Sequence, residues 1–155
     1  MANITKYLEK KLLEQSVGKI TNFSITTGTY VALFTQSPTV NYVDTSAEDG
    51  VEVSGAGYTR KEVQWNSAIA NIDATYSSKI TNANTIGSTT KILKWPGATG
   101  TISANWGTVT TIGIFDSGTV GEGNLLWFGP LSSAVTLTTG DTFTIPNASL
   151  TLTLG

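Results

Sequence analysis

The sequence contains no cysteine and no histidine. Without cysteine neither a disulfide framework nor a thiolate metal site can form, so stability must come from packing or from assembly. Without histidine the Ser-His-Asp and Cys-His arrangements are excluded, together with the commonest metal ligand and the usual general base near neutral pH. Charge is scarce as well. Only 13% of the 155 residues are charged, against about 25% in ordinary soluble domains, and the formal net charge is −2. The surface is therefore expected to be Thr, Ser, Asn and Gly, with little electrostatic repulsion or steering. That suits a protein held permanently against neighbours, and equally an extracellular β-domain with a neutral coat. No apolar run approaches the roughly 20 residues that span a bilayer, and polar residues interrupt the N-terminus where a secretion signal would need a continuous apolar core. No membrane partner is expected.

The length fits one domain that buries about two thirds of its unfolded surface. Asn3 is a candidate N-cap, residues 4–17 are predicted as a helix, and Gly18 is a natural stop. At about 100° per residue, Ile4, Tyr7, Leu8 and Leu12 fall on one side and Leu13 and Val17 on the other. Either one face packs on the domain while the other meets a partner, or the helix is tucked deeply enough to bury both. Lys6, Lys10, Lys11 and Lys19 interleave with Glu9 and Glu14, the pI is about 5.0, and no aromatic-basic alternation follows. We read a solvated helix face, and no nucleic acid is expected as a partner.

After Gly18 the pattern turns to strands. Tyr30 to Thr35 is a compact apolar run. Gly57 to Trp65 reads as extended, with Thr59, Lys61, Val63 and Trp65 on one face. Between them, residues 36–50 are polar and aperiodic, as an exposed loop would be. Residues 66–90 are rich in Ser, Thr and Asn and weakly patterned. Lys91 to Trp95 reads as a short strand closed by Pro96-Gly97. The clearest signal is Trp106 to Phe128, two strands around a turn with glycines at 118, 121 and 123. Val135 and Leu137, Phe143 and Ile145, then Leu150, Leu152 and Leu154 alternate with polar residues, as strands with one buried face do. The predicted fold is mainly β, an antiparallel β-sandwich or jelly-roll-like domain of about eight to ten strands with one N-terminal α-helix. Residues 1–18 are assigned to attachment or oligomerisation, and residues 19–155 to a single β-sandwich domain.

Catalytic chemistry finds few carriers. Paired carboxylates could hydrolyse a glycosidic bond, and the candidates are Asp44, Glu48, Asp49 and Glu52, or the turn residues Asp116 and Asp141. The first group could hold calcium, although it lacks the EF-hand pattern. Asp116 and Asp141 fit Asx-turn roles better. No phosphate-cradling loop is present. Trp65, Trp95, Trp106 and Trp127 could stack on sugar rings, but they sit at the ends of apolar strands, where core or interface burial is the favoured reading. No catalytic residue, metal or cofactor is assigned.

The blocks Trp106-Gly107-Thr108-Val109-Thr110, Gly113-Ile114-Phe115-Asp116, Gly123-Asn124-Leu125-Leu126 and Gly140-Asp141-Thr142 resemble a family of small tailed-bacteriophage virion proteins, usually labelled tail-fibre-like. The Tyr7-Leu8-Glu9 and Leu12-Leu13 helix, the Tyr30-Val31-Ala32-Leu33-Phe34 strand with Pro38, and Glu52-Val53-Ser54-Gly55-Ala56-Gly57-Tyr58-Thr59-Arg60 resemble it too. Members often carry histidine where this chain has Thr111, so no role of that imidazole is carried over. The resemblance implies a non-enzymatic virion protein, made in the bacterial cytoplasm, that forms a homo-oligomer, a trimer by analogy, on the particle exterior. Capsid decoration or cement is the first expectation, a tail fibre or adaptor the second, and a carbohydrate-binding receptor module the third. The expected partners are further copies of the chain and major capsid or tail proteins, with a glycan as a further ligand under the third expectation. The interface residues so expected are Tyr7, Leu8, Leu12, Leu13 and Val17 on the helix, and Asp44, Glu48 and Asp49 in the acidic loop.

Overall fold

The structure is a computed structural model that describes residues 3–21, 23–25, 28–39, 50–66, 78–83, 85–86 and 89–154. In chain order the elements are β1 (Asn3–Ile4), α1 (Lys6–Ser16), β2 (Thr29–Gln36), β3 (Val51–Glu52), β4 (Lys61–Trp65), β5 (Ser78–Ala83), β6 (Thr85–Ile86), β7 (Thr89–Thr90), β8 (Leu93–Trp95), β9 (Gly107–Phe115), β10 (Leu125–Leu137), β11 (Phe143–Ile145) and β12 (Thr151–Leu154). The expectation of a mainly β, sandwich-like fold with one N-terminal helix is met. The strands form one curled antiparallel sheet, a half-barrel ordered β1-β10-β9-β2-β4-β5-β12, with β3 beside β4 on the same edge of β2. The two-stranded ribbon β8–β11 packs Leu93, Trp95 and Ile145 into the core shared with the sheet.

The β9–β10 hairpin is the two-strand unit read from Trp106 to Phe128, and β2 pairs with the other edge of β9. Because β2 lies in the middle of the sheet, its apolar run is buried on both faces. Val31 and Leu33 join the large core with Val109, Ile112 and Ile114, whereas Ala32 and Phe34 join a second core with Phe115, Leu125 and Phe128. Continuous apolarity is what a strand covered on both sides requires. In the second core the Phe34 and Phe115 rings stack with centroids 6.2 Å apart, and Gly113 leaves the space between Phe34 and Leu125.

The N-terminus corrects the expected cap. Asn3 and Ile4 are a strand paired with Phe128 and Trp127, and the helix begins two residues later with Thr5 as N-cap. Thr5 is fully buried. Its hydroxyl accepts from the Leu8 N–H at 3.4 Å and donates to the Leu125 carbonyl at 2.7 Å, while its own N–H donates to the Leu126 carbonyl at 3.0 Å. One threonine thus caps α1 and docks it on β10. A pairing partner more than 120 residues away has no signature in the local sequence, which is why Asn3 looked like the better cap. At the other end Gly18 adopts φ +71°, the Gly18 N–H donates to the Gln15 carbonyl at 3.1 Å and the Lys19 N–H to the Glu14 carbonyl at 2.9 Å. This is a Schellman closure, and the left-handed backbone is the reason a glycine stands there.

Phe115→Ala should cost about 3–5 kcal/mol, as emptying a buried aromatic site does, read from urea denaturation. Gly113→Ala should also destabilise, because the added methyl would stand 2.6 Å from a Phe34 ring carbon and 2.8 Å from a Leu125 methyl.

Candidate functional site

Three features outside the plain core have the geometry to do work: the outer face of α1, a buried charged cluster, and a cleft between the two ends of the curled sheet. On α1, Leu8 is buried, Tyr7 and Leu12 are half-buried, and Leu13 and Val17 are 66% and 70% exposed. The helix therefore turns one apolar face to its own domain and leaves Leu13 and Val17 outside. Lys6 pairs with Glu9 at 2.7 Å and Lys19 with Glu14 at 3.4 Å. Asp44, Glu48 and Asp49 lie outside the described residues.

The charged cluster begins at β3 and ends just before β4. Arg60 Nε and Nη2 donate to the two oxygens of Glu52 at 2.9 and 2.7 Å, a bidentate pair buried on both sides. Its Nη1 donates to the Ser117 and Glu122 carbonyls at 3.0 and 2.7 Å. The guanidinium carbon lies 3.5 Å from the centroid of the Phe115 ring. Arg60 thus ties the β3–β4 segment to the turn of the β9–β10 hairpin. Tyr58 completes the cluster: its hydroxyl donates to Glu52 Oε1 at 2.9 Å and accepts from the Leu33 N–H at 2.9 Å. That amide falls where β2 passes from β3 to β4, so the phenol substitutes for a missing strand partner. Burial, reinforced by the Glu52 carboxylate, holds the phenol protonated far above its ordinary range. Glu52 is therefore not one of a free acidic group able to hold calcium with Asp44, Glu48 and Asp49; its charge is taken by Arg60. Arg60 and Tyr58 received no role from the sequence. The available signal was a Glu and an Arg eight positions apart around Gly-Ala-Gly-Tyr in a chain this poor in charge.

Three further carboxylates are committed to local structure. Asp116 accepts from the Asn124 backbone N–H at 2.6 Å and its side-chain amide at 2.8 Å, closing the hairpin turn. Asp141 accepts from the Thr138 N–H at 2.7 Å and hydroxyl at 2.9 Å in the turn after β10. Glu62 pairs with Lys91 at 2.5 Å. Among the described residues no group of three or more acids, histidines or cysteines could hold a metal ion. Two of the tryptophans are core residues: Trp95 Nε1 donates to the Thr59 carbonyl at 2.8 Å, and Trp106 Nε1 to the Ala56 carbonyl at 3.2 Å. Trp65 is half-buried and donates to Thr29 Oγ1 at 2.8 Å. Trp127 is half-buried too, with its Nε1 enclosed and unbonded. Trp95 and Trp106 therefore offer no exposed ring face of the kind a sugar platform uses.

The cleft has a volume of 720 Å3 and lies between β10 on one side and β11 and β12 on the other. Ile112, Ile114 and Leu152 form part of its lining. The β10 wall is irregular, because residues 131–134 stand opposite Thr110 alone. The β12 wall is held by the buried Asn82, whose Oδ1 accepts from the Leu150 N–H at 2.8 Å and whose Nδ2 donates to the Pro146 carbonyl at 3.0 Å. No lining residue carries a charge, so the cleft can bury apolar or neutral polar surface but offers no acid, base or ion-pairing group.

A family model described as "Podophage GP4 fiber I protein gp80" matches residues 3–153. No curated protein sequence matches the chain.

Glu52→Gln should destabilise by about 3–5 kcal/mol, since it leaves a buried guanidinium without its counter-charge; the double apolar replacement of Glu52 and Arg60 should lose less, both read from urea denaturation. Asp141 supplies a pH dependence of known sign. Its bonds from Thr138 hold the carboxyl below the ordinary value of 3.8, so its contribution is complete above that pH and disappears as pH falls through the lower folded value. Acid titration of the melting temperature should show Asp141→Asn lacking that increment of acid sensitivity.

Proposed function

The chain belongs to the podophage GP4 fiber I protein gp80 family and is a bacteriophage virion structural protein; we propose that it serves, without catalysis, as a homo-oligomeric fibre subunit on the particle exterior. The family match over residues 3–153 carries this reading. Its description as a fibre protein favours a fibre over capsid decoration. The commitment of Glu9, Glu14, Glu52 and Glu62 to ion pairs and of Asp116 and Asp141 to turns is in keeping with a role that depends on shape and contact.

Docking onto other particle proteins falls to the outer face of α1, where Leu13 and Val17 are apolar and exposed, and to the acidic segment with Asp44, Glu48 and Asp49. Removing the whole N-terminal segment would be a poor test, because β1 and Thr5 are built into β10. Point changes on the outer face separate attachment from folding. Antibody labelling of purified particles should decorate an external fibre, and quantitative mass spectrometry should find a low copy number per particle rather than one per capsid subunit. Leu13→Asp with Val17→Asp should keep the fold and lower incorporation into particles. Abundant copies spread evenly over the capsid shell would favour decoration instead.

A further inference from the structure

The cleft and the strand that borders it carry an inference about self-association, which rests on the fibre reading above. Charge is unevenly distributed along the chain. From residue 123 to residue 155 the only charged side chain is that of Asp141; the other ten acids and all nine bases lie in residues 1–122. The segment that is nearly free of charge supplies β10, β11 and β12, and therefore most of the cleft wall. β12 ends the sheet: it pairs with β5 on one side, and among the described residues no strand pairs with its other edge. Exposed edges in monomeric proteins are guarded by charge, proline or a bulge. β10 facing the cleft has two of these devices, Pro130 and the irregular stretch 131–134. β12, with the sequence Thr-Leu-Thr-Leu, has none.

We infer that the cleft and the open edge of β12 form the contact surface for a second copy of this chain. Charge matching selects that occupant. A face that meets a copy of itself must not oppose like charges, and a neutral face satisfies this without any pairing, whereas an acidic or basic partner protein would find nothing to complement here. Along the edge that no described strand pairs, β12 supplies backbone N–H and C=O groups that an extended neutral segment of the second copy can satisfy, and the half-buried Leu131, Val135, Phe143 and Leu150 that line the cleft supply apolar area beside it. Thr151 and Thr153 alternate with Leu152 away from the core, so they meet the partner without leaving a buried charge.

The test uses the full chain. Thr153→Lys on β12 and Ser133→Lys on the opposite wall place charge at exposed, uncharged positions of this surface, with far-UV circular dichroism and melting temperature as controls for folding. Sedimentation velocity over a concentration series should show the wild type associating, and each lysine variant associating roughly tenfold more weakly or worse at an unchanged fold. The variant carrying Leu13→Asp and Val17→Asp should associate like the wild type. Folded lysine variants that associate as the wild type does would overturn the inference and leave the fibre reading standing. A wild type that stays monomeric at every concentration would also overturn it. Absence of the chain from the particle exterior would instead overturn the fibre reading, whatever the sedimentation result.

Discussion

The bidentate pair between Arg60 and Glu52 is the interaction on which the arrangement of the central sheet depends. It joins three stretches that local sequence cannot bring together: β3, the residues before β4, and the turn of the β9–β10 hairpin. β3 and β4 are short and share one edge of β2, with registers fixed by only two and three residue pairs. Strands that short define register weakly by themselves. A buried guanidinium whose donors must all find oxygen atoms is a stricter criterion, because a slip of one residue would strand a charge in the core. Its value is therefore specification more than net stabilisation. The Phe115 ring beneath the guanidinium links this register to the second core.

That second core explains why the N-terminal helix cannot be an appendage. A curled sheet with apolar residues on both faces needs cover on both. One face is closed by the β8–β11 ribbon with Trp95, and Tyr7 of α1 packs on the other. Thr5 fixes the helix in that place by spending one hydroxyl on both the helix end and β10. Leu13 and Val17 then face outward as a geometric consequence of where Leu8 is buried.

Legibility from the sequence followed the range of the interactions. The β9–β10 hairpin, β2 and the Gly18 stop were readable because their signals are local: β-branched runs, glycine at a turn, and a left-handed residue after a helix. The Thr5 cap was not, since its choice over Asn3 depends on the pairing of Asn3 with Phe128. The alternation of Val135, Leu137, Phe143 and Ile145 correctly announced strands with one buried face, but not their partners. β10 returns to β9, whereas β11 crosses to β8. The cleft was invisible for the same reason, as it arises only when the two ends of the sheet path approach each other. Glu52 was seen as an acid among acids, because a sequence shows charge but not the side chain that neutralises it. Asp116 and Asp141 were legible as turn residues, their partners being eight and three positions away.

The scarcity of charge also divides the chain by the kind of contact each part can make. The described ion pairs, Lys6 with Glu9, Lys19 with Glu14, Lys91 with Glu62 and Arg60 with Glu52, all lie within the first 91 residues. The three pairs other than the buried Arg60–Glu52 are accessible to solvent and add little stability, but they keep surface hydrated and prevent neutral faces from meeting there. Beyond residue 122 that protection is almost absent, and cohesion rests on backbone pairing and apolar burial, which charge screening does not weaken. Contacts built from such surface survive wide changes in ionic strength, because there is little charge to screen. A particle component that must hold its shape outside a cell faces that requirement, and placing the charges at one end of the sequence leaves the other end free to meet it.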